Sequence, residues 1–139
     1  MTSPTVWQDA WARAGLGARA LQIPLLDPLE STLPDNGDSA YLFLEGASGT
    51  ADRLELGEDA DDIETGQIWL HLMAPVGKMK TLDALQARWA LAKYFRRAEL
   101  PFPDGLAYTS RDFDPPDSSA TGLYYRFSLA VSYTSQSPP

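Results

Sequence analysis

A hydrolase built on a Ser-His-Asp or Cys-His arrangement needs an imidazole base, and this 139-residue chain has one histidine, His71, and no cysteine. His71 lies midway along Gln67-Ile68-Trp69-Leu70-His71-Leu72-Met73, flanked by leucines, with no second and third partner at a recognisable spacing. It reads as a sheet-face histidine and receives no catalytic role. Gly77-Lys78 beside a helix start has the look of the end of a phosphate-binding loop, but Leu72 stands where the first glycine belongs. Met79 stands where a hydroxyl would hold magnesium. The densest polar feature is Gly57-Glu58-Asp59-Ala60-Asp61-Asp62-Ile63-Glu64, five carboxylates in eight residues. Calcium favours such oxygen-rich clusters, yet Ile63 occupies a ligand position of the EF-hand spacing and no glycine follows it. The run reads as a solvated, self-repelling loop. A carboxylate pair for general acid-base work would need a pocket, and a charge run between strands gives no sign of one. No catalytic residue, metal site or cofactor is predicted.

The composition narrows the class further. A chain of this length suits one domain, and 44% hydrophobic residues with four Trp, six Tyr and five Phe are enough for a packed interior. Nineteen acidic residues against eleven basic ones leave a formal charge of −8, which repels phosphate backbones and disfavours a sequence-reading nucleic-acid binder. Without cysteine there are no disulfides or thiolate metal sites. The start Met-Thr-Ser-Pro-Thr-Val-Trp lacks a basic segment followed by an apolar run, and no later stretch approaches the ~20 apolar residues of a bilayer span. A soluble protein made without a leader is expected, with no membrane partner.

The elements follow from periodicity and breakers. Ser3-Pro4 signals a helix start, and Val6, Trp7, Ala10, Trp11 and Ala14 recur at helical spacing, predicting a short helix over about 4–15 that ends at Gly15 and Gly17. Trp7 and Trp11, one turn apart, are expected to dock on the sheet. Pro24, Pro28 and Pro34 with Asp35-Asn36-Gly37-Asp38 make 21–38 an extended, wrapping segment. Strands are expected over 41–45, 53–56, 67–73, 106–111 and 124–133. Thr81 is the expected cap of a long helix over about 81–98 whose stripe Leu82, Leu85, Trp89, Ala92 and Phe95 is buried, making Trp89 core, with Arg88 largely away from that stripe. The order α-β-β-β-α-β-β, without βαβαβ alternation, predicts an α+β fold. It has a mixed or antiparallel sheet, the long helix packed on one face, a short N-terminal helix and a flexible C-terminal tail from Thr134. If the long helix covers the Ile68–Leu72 face, the opposite face with Trp69, His71 and Met73 needs another cover, and a second subunit is the candidate.

This layout resembles a known family. An N-terminal helix is followed by Pro24-Leu25-Leu26-Asp27-Pro28, a short aromatic strand and an acidic segment ending Glu64-Thr65-Gly66. Then come the Gln67–Leu72 strand, the break Ala74-Pro75-Val76-Gly77, a helix ending Ala92-Lys93-Tyr94-Phe95-Arg96, and a Tyr-rich final strand. The order is similar to the tail terminator and minor tail proteins of long-tailed bacteriophages and covers about residues 5 to 134. The resemblance implies a virion protein without catalytic motif, assembled in the host cytoplasm. It implies a homo-oligomeric ring, commonly hexameric, that stops growth of the tail tube protein and later meets the head-completion or neck protein. DNA passes through such a ring. Glu58, Asp59, Asp61, Asp62 and Glu64 would then form a belt near the lumen or the tube-facing rim, a negative surface to which DNA does not adhere. A head-tail connector is the alternative within the virion, and a small monomeric enzyme or ligand-binding domain with a carboxylate site is the alternative outside it.

Overall fold

The computed structural model describes residues 2–53, 62–97 and 99–137. Its first element is helix α1, Pro4–Leu21. Ser3 caps it by accepting from the Val6 amide, and Pro4 fills the first helical position, where its missing N–H costs nothing. The expected stop at Gly15 and Gly17 does not occur. Ala14, Ala18 and Leu21 continue the helical spacing, and the left-handed cap is Gln22, φ 57°, whose N–H reaches the Ala18 and Arg19 carbonyls. Gly17 serves packing instead: a Cβ there would lie 2.5 Å from Leu91 Cδ2 and 3.2 Å from the Tyr94 ring.

Among the described residues six strands follow: β1 (Leu25–Leu26), β2 (Tyr41–Arg53), β3 (Asp62–Pro75), β4 (Leu106–Phe113), β5 (Asp117–Ser118) and β6 (Tyr124–Ser137). They form one sheet in the order β1-β2-β3-β6-β4, with β5 paired to β6. The β1–β2 pair is parallel and the others antiparallel, so the sheet is mixed and the fold α+β. The expected strand at 53–56 is not separate at its start. The strand expected over 41–45 does not stop there: it passes a bulge at Gly46/Ser48, and β2 runs on to Arg53. Residues 54–56 lie outside the described ones. At the start of β4, Gly105 has φ +82°, and a side chain there would collide with the Gln136 carbonyl.

Period-two alternation sends Leu42, Leu44, Ile68, Leu70, Leu72, Phe127, Leu129 and Val131 to one face, in register across three strands. Both helices cover it. Helix α2, Thr81–Ala92, continues as a 3₁₀ turn over Lys93–Phe95, so the regular helix is shorter than expected. Its N-cap is Lys80 with no side-chain hydrogen bond, one residue before the expected Thr81. The tight turn drops Phe95 into the core against Tyr108.

The buried stripe of α2 is Ala84, Ala87, Arg88, Leu91 and Ala92. Leu82, Leu85 and Trp89, expected inside, are 63%, 38% and 66% exposed. The small-residue side of α2 faces inward because the helix rides close to the sheet and to α1, where small side chains fit and a tryptophan does not. Trp89 is therefore not core, and Arg88 is. Two guanidiniums are buried among the helices. Arg13 donates Nε to Asp9 at 2.7 Å, Nη1 to the Tyr94 and Leu100 carbonyls, and Nη2 to the Pro101 carbonyl. Arg88 donates Nη1 to the Asp114 carbonyl at 2.6 Å and to the Ser128 carbonyl at 3.2 Å.

Candidate functional site

The second face of the sheet carries the side chains that sequence reasoning singled out. Phe43, His71 and Ser128 share one register line, and Glu45, Trp69 and Ala130 the next. His71 Nδ1 is 2.7 Å from Ser128 Oγ, and its Nε2 faces Glu45 Oε2 at 3.5 Å, too long for a good hydrogen bond. Phe43 leans over the imidazole with ring centroids 4.7 Å apart, and Trp69 meets it edge-on at 5.8 Å. Burial pushes the His71 pKa below its ordinary value, only partly opposed by Glu45. The ring is thus neutral at neutral pH.

Serine, histidine and a carboxylate in line are the residue types of an acyl-transfer catalyst, but this line cannot act as one. Ser128 is 6% and His71 1% exposed, both on central strands of a continuous sheet. The nearby hollow, about 320 Å³, is lined by Leu33, Tyr41, Phe43, Met73, Ser118 and Arg126, and neither His71 nor Ser128 reaches it. A substrate carbonyl has no approach to the serine oxygen.

Of the face expected to meet another subunit, the chain itself covers a large part. Met73 packs with Tyr41 and Tyr124 beneath Leu26, Leu33 and Phe43. The covering segment is pinned at Tyr124, whose hydroxyl donates to Asn36 Oδ1 and accepts from the Gly37 amide, both at 3.1 Å. His71 is buried in the same layer, and Trp69, half-buried, donates its indole N–H to Gln67 at 3.2 Å.

The acidic stretch also divides. Glu58, Asp59 and Asp61 lie outside the described residues. Asp62 and Glu64, expected in a loop, belong to β3, where they pair with Ser137 and Ser135. Glu64 is a structural anchor. Its carboxylate accepts from the Ser3 amide at 3.2 Å, where the dipole of α1 favours negative charge, and from the Tyr133 hydroxyl at 2.5 Å. Burial, then this bond to Glu64, pushes the Tyr133 phenol up to about 12. Lys78 pairs with Asp38 at 3.3 Å on the surface, and Gly77 simply turns the chain at φ +81°. Trp7 and Trp11 reach the core margin only in part, stacked with centroids 6.2 Å apart.

What sequence reasoning missed is an apolar surface on the outside of α2. Leu82, Leu85 and Trp89 form an exposed row, and Trp89 stacks on Phe113 of β4 at 5.4 Å and 19°. At the start of the same helix an apolar hollow of about 410 Å³ is lined by Ala74, Val76, Met79, Tyr125 and Phe127. One signal could have found the row: Ala84, Ala87 and Leu91 form a second, smaller stripe at helical spacing, and helices that pack closely turn such a stripe inward. Among the described residues no three His, Asp or Glu side chains gather as metal ligands, and no helix is long and apolar enough to cross a membrane. No protein-family model matches the chain, and no curated protein matches it.

Proposed function

We propose that the chain is a non-catalytic structural subunit that assembles into a ring, in the manner of the tail terminators of long-tailed bacteriophages. Such a ring caps the tail tube and meets the head-completion or neck protein. The observation that carries this reading is the row Leu82, Leu85 and Trp89, turned to solvent along α2 and continued by Phe113 of β4, on which Trp89 stacks. Contiguous exposed apolar surface of this kind marks protein-protein contact. The buried Ser128–His71 pair gives no support to a serine-hydrolase reading. A charge of −8 per subunit suits a channel wall that lets DNA pass without holding it.

Native mass spectrometry and negative-stain electron microscopy of the purified protein test the reading. A closed ring with a mass that is a multiple of 15.2 kDa is expected. A monomer at high concentration that also fails to assemble on added tail tubes overturns it.

A further inference from the structure

We infer that two opposite edges of the molecule pair head to tail between copies. The basic, aromatic edge formed by α2 and β4 of one copy seats in the acidic tryptophan groove formed by α1 and the 27–30 turn of the next. The inference rests on the ring reading above and names its contact.

The basic edge is built around the Trp89–Phe113 stack. With Ala92, Arg96 and Arg111 these rings line a shallow hollow of about 190 Å³. Arg111 and Phe113 oppose Val131 and Leu129 and so lie on the helix-covered side of the sheet, whereas Asp112 opposes Ala130 and points to the other side. The hollow therefore shows aromatic surface and positive charge without the neighbouring carboxylate.

The acidic edge has the opposite character. The stacked rings of Trp7 and Trp11, with Gln8, Asp27 and Glu30, line a groove of about 310 Å³. Its carboxylates stand on an ordered turn, in which Asp27 accepts from the Leu29 amide at 3.0 Å and the Glu30 amide donates to the Asp27 carbonyl at 3.0 Å. Arg19 lines the next hollow along α1 and not this one.

Position and charge together select the occupant. Strand β1, which directly follows α1, is one edge of the sheet, and β4 is the other. A two-fold dimer through either patch would set arginine against arginine or carboxylate against carboxylate. Joining unlike patches matches the signs and brings guanidiniums onto tryptophan faces. Contacts between two different patches repeat from copy to copy, and they close as a ring when the rotation between copies returns to its start.

Two charge reversals test the pairing, Arg96→Glu with Arg111→Glu and Asp27→Lys with Glu30→Lys, followed by sedimentation velocity. Each double variant alone is expected to raise the dissociation constant of assembly at least about tenfold. An equimolar mixture of the two is expected to assemble again, because alternating copies restore opposite charges at every contact. Trp89→Ala, which leaves charge and core intact, is expected to weaken assembly as the reversals do, so a reversal that fails to fold still leaves a readout. If wild type forms rings and the variants do too, the pairing is overturned while the ring reading stands. Dissociated variants whose mixture does not recover also overturn it. A monomeric wild type removes both.

Discussion

The two helices solve one packing problem with different success in handling charge. Each turns small residues toward its neighbours, Ala10, Ala14, Gly17 and Ala18 on α1 and Ala84, Ala87 and Ala92 on α2, and each buries one arginine. Around Arg13 the site is complete: a carboxylate, three carbonyls and the faces of Phe102 and Tyr108 at 5.1 and 5.2 Å surround a guanidinium with no exposed surface. Asp9 is itself shared with the Tyr108 hydroxyl at 2.6 Å, and burial followed by that bond drives the phenol pKa far up. Arg88 has two carbonyls and the faces of Phe113 and Phe127 but no carboxylate bonded to it, and burial lowers its pKa, opposed in part by the charge of Asp114. A buried cation is tolerable when each N–H finds an acceptor, and it stabilises the fold when an opposite charge joins them.

Arg13→Met probes the fuller site and carries the largest expected effect. It strands Asp9 and the carbonyls that tie the 94–101 connection to α1, and a loss of about 3–5 kcal/mol is expected in urea denaturation. Lysine at 13 cannot reproduce the forked geometry and should recover little of it. Arg88→Met removes a charge that no carboxylate hydrogen-bonds and that Asp114 offsets only through space, so about 1–3 kcal/mol is expected. A cost equal to that of Arg13→Met would break the contrast between the two sites.

His71 extends the comparison to a group that can discard its charge. Its folded pKa lies below the unfolded value near 6.5, so at acidic pH the unfolded chain binds a proton that the folded one resists. Stability is full above about pH 6.5 and falls as the pH drops from there toward the depressed folded pKa. Urea melts at several pH values should show that slope in wild type and a flatter one in His71→Gln. An identical slope would place the titration elsewhere.

The smallest effect on folding is expected for Trp89→Ala. The ring is two-thirds exposed and stacked on Phe113, so about 1 kcal/mol or less is at stake in a thermal melt. A core tryptophan would cost about 3–5 kcal/mol, and a loss of that size would return Trp89 to the interior stripe.

Much of the architecture was written locally. Strict alternation in 67–73 and 124–133 settled which residues face the helices, because a one-residue slip would turn every leucine outward. Ser3-Pro4 set the start of α1, and the prolines of 21–38 left that segment to wrap, since each removes a donor that a helix or central strand needs. With no cysteine the chain offers no thiol, and its single histidine has no imidazole partner in the sequence.

Tertiary structure decided what depends on distance between elements. Whether Gly17 stops a helix or admits a neighbour, and whether alanine or tryptophan faces inward on α2, turn on how near the helices approach, which no local pattern records. Glu64 looked like one more carboxylate in a repelling run. Only the fold brings it to the Ser3 amide at the cap of α1 and to the Tyr133 hydroxyl, residues 61 and 69 positions away, where its charge has partners. Arg13 and Arg88 carried no signal at all, because an arginine reads as surface until the chain supplies carbonyls from distant segments to surround it.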